Sequence, residues 1–395
     1  MTSVILKPRR DKSARLRHPW LFSGAIARVD GKPGPGEVIR LLDPNGDFVA
    51  YGYFNAASQI SVRLLEWNEE AVINDAWWSS RLQEAISRRG PLANDPYTDC
   101  YRLVYGESDL LPGLIVDRYA DHLVVQILTA GIEKVKQLLL SQLAELTHPA
   151  AIYDRSDSDV RELEGLKPAS GTIAGLEPPD LITITENGCR FSVDIKKGQK
   201  TGFYLDQRNN RQIVATFGRS LDLLDCFSYT GAFSVYALLK GANSATLIDS
   251  SAQALALARK NMNLNTLDSK PVNFVEGDVF KALREYRDAK RYFDMVILDP
   301  PKFAPSKANL KKALSAYKDI NLQAMSLVRP DGYLATFSCS GAVDLQTLQM
   351  VLFWAATDAR RNVQICRTLS QGVDHPRLVA FPESDYLKGY VCRVL

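Results

Sequence analysis

Three short stretches combine residue types that can do chemistry. The first, Leu334-Ala335-Thr336-Phe337-Ser338-Cys339-Ser340-Gly341, is an apolar run that ends in small polar residues, with a cysteine where it stops. Such a thiol is either a small buried core residue or a nucleophile at the mouth of a site. The second, Asp299-Pro300-Pro301-Lys302-Phe303, also follows an apolar run. Two prolines in a row fix a rigid loop that lacks backbone donors, and polar groups held rigidly there suit a planar substrate. The third runs from Asp225 and Cys226 through Phe227, Ser228, Tyr229, Thr230 and Gly231 to Phe233. It places a glycine and hydroxyl side chains where a helix opens. Free helix N–H groups can hold a polar ligand group, and a glycine lets the backbone approach it closely. The stretch is not GxGxxG, so the dinucleotide fingerprint is missing, and a plain helix cap explains it equally well. Asp249, followed by Ser250, ends a further apolar run, where a carboxylate can accept from ribose hydroxyls or cap the next helix. Asp278 can accept from an adenine amino group or act as a cap.

These residues need elements to hold them. From about residue 190 apolar strand-like runs alternate with helical patterns. Strands are expected at 221–225, 245–249, 272–276, 292–299 and 333–340, with a turn at Arg329-Pro330-Asp331-Gly332 before the last. That rhythm predicts an α/β fold with a parallel, doubly wound sheet, in which ligands bind outside the carboxyl ends of the strands. The candidate residues lie at those ends. Residues 1–75 carry short strands between tight turns and suggest a small β-barrel. Residues 76–185 read as a mixed α/β domain, with helices at 75–89 and 133–146, a hairpin at 114–128 and a Pro/Gly-rich connector at 167–179. The part with alternating strands and helices then occupies 186–395. Trp77 and Trp78 read as core rather than as platforms for bases.

Composition excludes several classes. The chain has 395 residues, 46% hydrophobic and 24% charged, which describes a globular protein of two or three domains. Its six cysteines do not fall at metal-ligand spacing and it has only four histidines, so no metal site is expected. The opening apolar stretch is too short for a signal peptide, and no apolar run reaches the ~20 residues of a membrane span. Free thiols in the cytoplasm are the expectation. The net charge of +3 is modest but uneven: Lys7, Arg9, Arg10, Lys12, Arg15 and Arg17 face only Asp11 in the first 17 residues. The cluster is either a phosphate-facing surface or a solvated face.

Taken in order, Asp225 to Phe233, Asp249, Asp278, Asp299 to Phe303 and the strand before Cys339 resemble a class I S-adenosylmethionine-dependent methyltransferase. Further segments narrow the resemblance: Arg17-His18-Pro19-Trp20-Leu21-Phe22-Ser23-Gly24-Ala25, Lys200-Thr201-Gly202-Phe203-Tyr204-Leu205-Asp206-Gln207-Arg208, Tyr317-Lys318-Asp319-Ile320-Asn321, Asp374-His375-Pro376 and Tyr386-Leu387-Lys388-Gly389-Tyr390. Together they are similar to a bacterial family that makes 5-methylcytidine in 23S ribosomal RNA, over essentially the whole chain. The resemblance implies an N-terminal PUA RNA-binding domain and a C-terminal Rossmann-like methyltransferase domain. It implies that Asp225 through Gly231, Asp249, Ser250, Asp278 and Asp299 line the S-adenosylmethionine pocket. Lys200, Thr201, Phe203, Tyr204 and Gln207 would cover the methionine end of the cofactor. The 23S RNA would meet Lys7, Arg9, Arg10, Arg15 and Arg17, and the target base would flip into a cleft bounded by Pro300, Lys302, Phe303 and Cys339. A homodimer is compatible with it.

Carbon 5 of cytosine is a poor nucleophile, and a thiolate adding at carbon 6 would activate it, so Cys339 becomes the expected nucleophile. Asp299 would hydrogen-bond the N3 or amino edge of the ring. One departure matters: several RNA cytosine-5 methyltransferases carry a second cysteine after the fourth strand, and Asp-Pro-Pro-Lys has none. The base that removes the carbon 5 proton is therefore unassigned. The alternatives are a same-family enzyme acting on another base, such as guanosine N7, and a non-catalytic RNA-binding assembly factor.

Overall fold

The computed structural model describes residues 2–303 and 310–395. The chain divides into two compact units interleaved in sequence: Met1–Thr185 with Val193–Leu205 and Asp374–Ser384, and Glu186–Ser192 with Asp206–Val373 and Asp385–Leu395.

The first unit holds two sheets. Six strands run in the spatial order Trp20–Leu21, Val62–Glu66, Phe48–Phe54, Glu37–Leu42, Ser3–Leu6, Ile26–Asp30. Their inward residues, among them Val4, Leu6, Leu21, Ile39, Leu41, Val62 and Leu64, make one apolar core. A second sheet orders Ala169–Gly175, Ala151–Ser156, His122–Ile127, Leu114–Tyr119 and Cys100–Tyr105. The helices Asp75–Ser87 and Lys136–Thr147 add Trp78, Leu82, Leu139 and Leu143 to the core against it. Trp78 is buried and Trp77 meets it edge-on, so both tryptophans are packing residues. The stretch expected to be a connector contains a strand instead. Ala169–Gly175 pairs antiparallel with Ala151–Ser156, because the edge of that sheet supplies partners no local pattern reveals.

The second unit is built on seven strands: β1 (Asp222–Cys226), β2 (Ser244–Asp249), β3 (Val272–Glu276), β4 (Phe293–Leu298), β5 (Val328–Ser338), β6 (Val363–Ser370) and β7 (Lys388–Val394). Their order is β3-β2-β1-β4-β5-β7-β6. The first five are parallel, and β7 runs antiparallel to both neighbours. Among the described residues six helices accompany them: α1 (Arg208–Phe217), α2 (Ala232–Leu239), α3 (Ala252–Leu264), α4 (Val279–Asp288), α5 (Leu310–Leu327) and α6 (Leu345–Ala359). Central strands covered on both faces read as continuous apolar runs, and Met295 to Leu298 of β4 are wholly buried. The expected parallel sheet is therefore present, with an antiparallel strand added.

The stretch Arg329 to Gly332 is not a separate turn. It lies within β5, where the register with β4 shifts between Phe293 and Met295, and Asp331 takes a φ of 64°. The turn-forming residues are spent on an irregularity at the strand's start. Strand order reverses between β1 and β4. In open α/β sheets that switch point opens a crevice at the carboxyl ends.

Candidate functional site

The chain leaves β1 through a strained turn. Phe227, Tyr229 and Gly231 have φ of 59°, 47° and 74°. Two non-glycine residues in the left-handed region so close together are costly, and such strain gathers at functional sites. Gly231 has a local reason for its identity. A Cβ there would meet Leu247 Cδ2 at 2.8 Å and Ala258 Cβ at 3.1 Å. Asp249, at the end of β2, ties the turn down: its Oδ2 accepts from Tyr229 N at 2.8 Å and its Oδ1 from Ser251 N at 2.9 Å. Asp249 is not the cap of α3. Ser251 is, with its Oγ accepting from Ala254 N.

Inside this turn the hydroxyls of Ser228 and Thr230 are buried with no hydrogen-bond partner among the described residues. A buried polar atom left unpaired costs about 1–3 kcal/mol, so two side by side fit a polar ligand seated at the turn. Asp225 is wholly buried and accepts from Ser234 Oγ at 2.6 Å. Burial pushes its carboxyl up to about 7, and the nearby carboxylates of Asp299 and Asp249 add to the effect, against the Ser234 hydrogen bond. The carboxylates of Asp249 and Asp299 therefore lie at the ends of β2 and β4 beside the neutral carboxyl of Asp225, a setting that favours a cationic ligand.

Other expected pocket residues are placed differently. The Cys226 side chain is wholly buried in the apolar core and burial pushes its thiol well up, so only its backbone faces the loop. Its carbonyl accepts from Asp299 N at 3.5 Å. Asp278 is exposed and caps α4, its Oδ1 accepting from Lys281 N. Ser250 is exposed beside Asp249. Lys200, Thr201, Phe203 and Tyr204 belong to the first unit, and Gln207 to the second. The Thr201 hydroxyl donates to Asp117 at 2.6 Å and pairs with Tyr119 at 2.7 Å, and the Phe203 ring is buried. Those two side chains are thus engaged within the first unit. Lys200 is exposed with its Nζ 4.3 Å from the Tyr204 ring centre. Gln207 is buried and accepts from Asn210.

On the other side of the switch point, β4 and β5 are neighbours. That adjacency brings the Asp299 loop beside Cys339, whose Sγ lies 3.9 Å from the Pro300 carbonyl oxygen. Cys339 is half-buried, unlike the wholly buried Cys226 and Cys392. Pro300 is buried, whereas Lys302 is exposed. Phe303 continues an aromatic wall: its ring centre is 4.8 Å from Tyr317, 5.9 Å from Phe280 and 6.5 Å from Phe227.

Sequence reasoning gave no role to Tyr317, Phe280 or Lys388. The Tyr317 hydroxyl accepts from Ser338 Oγ at 3.0 Å. Burial pushes its hydroxyl up to about 12, helped by Cys339 and Asp299. Lys388 opens β7 directly opposite Ser338 and is buried. A lysine inside the apolar run 387–394 was the available signal. His375 lies buried in the first unit against Asp374 and Tyr105.

The six N-terminal cations are all exposed, but not equivalent. Arg15 pairs with Asp11 at 2.6 Å and with Asp43 at 2.8 Å, a partner the linear sequence did not disclose. Lys7 donates to the Gly24 carbonyl and Arg17 lies 5.8 Å from the Trp67 ring centre. Arg9, Arg10 and Lys12 have no ion pair among the described residues. No described helix is long and apolar enough to cross a membrane.

Residues 4–67 match a family model described as a PUA-like domain, and residues 109–359 one described as an S-adenosylmethionine-dependent methyltransferase. The chain is 47% identical over 395 residues to a Tolumonas auensis protein named ribosomal RNA large subunit methyltransferase I, covering 100% of both chains. A Cronobacter sakazakii protein of the same name is 45% identical over 392 residues, 99% of each. Among solved structures, a chain described as a methyltransferase complexed with SAH superposes with a TM-score of 0.87 at 21% identity, covering all of both chains.

Proposed function

The chain belongs to the S-adenosylmethionine-dependent methyltransferase family, with the ribosomal RNA large subunit methyltransferase I proteins as its full-length relatives, and from that premise we propose that it methylates carbon 5 of a cytosine in 23S ribosomal RNA through a covalent bond to Cys339. The observation that carries the reading is the thiol of Cys339 at the end of β5, beside the Asp299-Pro300 exit of the neighbouring β4.

The cofactor would sit on the β1 turn. Ser228 and Thr230 offer buried hydroxyls, Asp249 keeps acceptor capacity for ribose hydroxyls, and the acids at the strand ends favour a positively charged ligand. When bound, S-adenosylmethionine supplies an electrophilic methyl group on a sulfonium. The chain's own work lies on the base. The Cys339 thiolate adds to carbon 6, and the ring electrons it displaces make carbon 5 nucleophilic. Asp299 hydrogen-bonds the N3 or amino edge and helps the ring accept charge. Once carbon 5 carries the methyl, its proton passes to water, the carbon 5–hydrogen electron pair re-forms the 5,6 double bond, and the carbon 6–sulfur electron pair returns to Cys339. Phe303, held by Tyr317, offers a face on which a flipped base stacks. RNA contact is assigned to residues 1–75 and methyl transfer to the unit of Glu186–Ser192, Asp206–Val373 and Asp385–Leu395 within the expected 186–395. A ribosomal RNA substrate puts the reaction in the cytoplasm.

The test uses RNA with 5-fluorocytidine at the target, because fluorine cannot leave as a proton does. The enzyme should become trapped after methyl transfer as a slow-migrating band on a denaturing gel, with the linkage mapped to Cys339 by mass spectrometry. The adduct should need cofactor, vanish in Cys339→Ser and persist in Cys226→Ser. Near wild-type methylation by Cys339→Ala would replace this chemistry with transfer to an amino group or to N7.

A further inference from the structure

The covalent reading needs a thiolate, and most groups around Cys339 oppose one. The Pro300 carbonyl at 3.9 Å accepts from the protonated thiol, which favours keeping the proton. Asp299 is a carboxylate at the neighbouring strand end. Tyr317 is raised to about 12 and so stays neutral near physiological pH, bringing no compensating charge. An unassisted cysteine has a pKa of about 8.5 and would be mostly protonated at neutral pH.

Lys388 supplies the opposite influence. Ser338, the residue before Cys339, sits directly across the antiparallel ladder from Lys388. The lysine is 5% exposed and its Nζ donates to the Asp385 carbonyl at 2.6 Å. An ammonium has three protons to donate, so this contact anchors it without exhausting it. Burial pushes the Lys388 ammonium down from its ordinary value, while Asp385, Asp344 and Cys339 itself hold it up. Asp344 is partly committed elsewhere, since its Oδ1 caps α6 by accepting from Thr347 N. A cation buried at the end of an interior strand, where water screens it little, acts strongly on a nearby thiol, and Cys339 is among the groups whose charge acts on Lys388.

We propose that the Lys388 ammonium holds Cys339 as the thiolate, making Lys388 a positioning residue for the nucleophile. This rests on the covalent reading above. The thiol proton leaves to water, sulfur keeps the electron pair and Lys388 keeps its own proton. When the bond to carbon 6 breaks, the departing thiolate returns to the same cation. The lysine therefore lowers the cost of both forming and releasing the adduct.

The experiment measures thiol reactivity without RNA or cofactor. The full-length protein is alkylated with iodoacetamide from about pH 6 to pH 10, and each cysteine peptide is quantified by mass spectrometry. Cys366, half-buried on β6, serves as the internal reference. In the wild type, the Cys339 midpoint should lie at least about one pH unit below that of Cys366. Lys388→Met should raise it and slow Cys339 alkylation about tenfold at pH 7, with Cys366 unchanged. Lys388→Arg should keep the low midpoint, because it keeps the charge. Equal midpoints for the two cysteines in the wild type would overturn the inference, and so would a low midpoint surviving in Lys388→Met. Should Lys388→Met fail to fold, the wild-type comparison still decides. Failure of the 5-fluorocytidine trap with a low Cys339 midpoint would remove the covalent reading and leave the Lys388–Cys339 coupling standing.

Discussion

Asp225→Asn should stabilise the protein at alkaline pH and not at acid pH. Asp225 is wholly buried at the end of β1, and burial holds its carboxyl neutral up to about 7 rather than 3.8. Below about pH 4 it is neutral in both the folded and the unfolded chain and has no effect on the balance. From about pH 4 to 7 the unfolded chain releases the proton while the folded chain keeps it, so stability falls as pH rises. The loss levels off above about pH 7 at roughly 4 kcal/mol, the free energy of a difference of about three pH units. Asparagine has nearly the same shape and still accepts from Ser234 Oγ, but cannot ionise. At about pH 8 the variant should therefore gain roughly 4 kcal/mol, because the hydrogen bond from Ser234 to the charged form is already contained in the shifted value. At about pH 4 the two proteins should agree to within about 1 kcal/mol. Urea unfolding followed by circular dichroism at acid, neutral and alkaline pH measures both. A difference between variant and wild type that does not change with pH would refute the buried, neutral carboxyl.

Gly231→Ala combines a left-handed backbone with a Cβ pressed against Leu247 and Ala258, and should cost roughly 2–4 kcal/mol in denaturant unfolding. A loss below about 0.5 kcal/mol would mean that the turn relaxes. Asp249→Ala should weaken S-adenosylmethionine binding by roughly 1.5–3 kcal/mol in titration calorimetry; unchanged affinity would remove Asp249 from the ribose. Replacing Arg9, Arg10 and Lys12 together with alanine should flatten the salt dependence of RNA binding by about 0.7–0.9 in log–log slope per lost phosphate contact. Cofactor affinity should stay constant, and an unaltered slope would mark the cluster as a solvated face. Arg15 is left out because Asp11 and Asp43 already neutralise it.

Much of the site was legible in the linear chain because its parts are local. Apolar runs such as Met295 to Leu298 announce buried parallel strands, and the residue after each run marks a carboxyl end. Asp249, Asp299 and Cys339 could be picked out that way, and the helical rhythm between them required a crevice joining those ends. Local patterns also placed the tryptophans of Asp75–Ser87 in a core. What failed was what depends on partners distant in sequence. A Pro/Gly-rich stretch reads as a connector until a sheet edge pairs with Ala169–Gly175, and Arg329 to Gly332 reads as a turn until β4 draws it into a strand. Arg15 reads as a free cation until folding delivers Asp43.

The residue types at the strand ends were thus determined by the sequence alone, while the tertiary structure decided which of them act together. Burial leaves the Ser228 and Thr230 hydroxyls without partners and keeps Asp225 protonated, and neither desolvation nor the field of neighbouring acids is a property of a single position. Lys388 lies 49 positions beyond Cys339 in the chain. Only the antiparallel insertion of β7 beside β5 brings its ammonium to the end of the strand that carries the thiol, because ladder pairing, not chain distance, sets which side chains share a field.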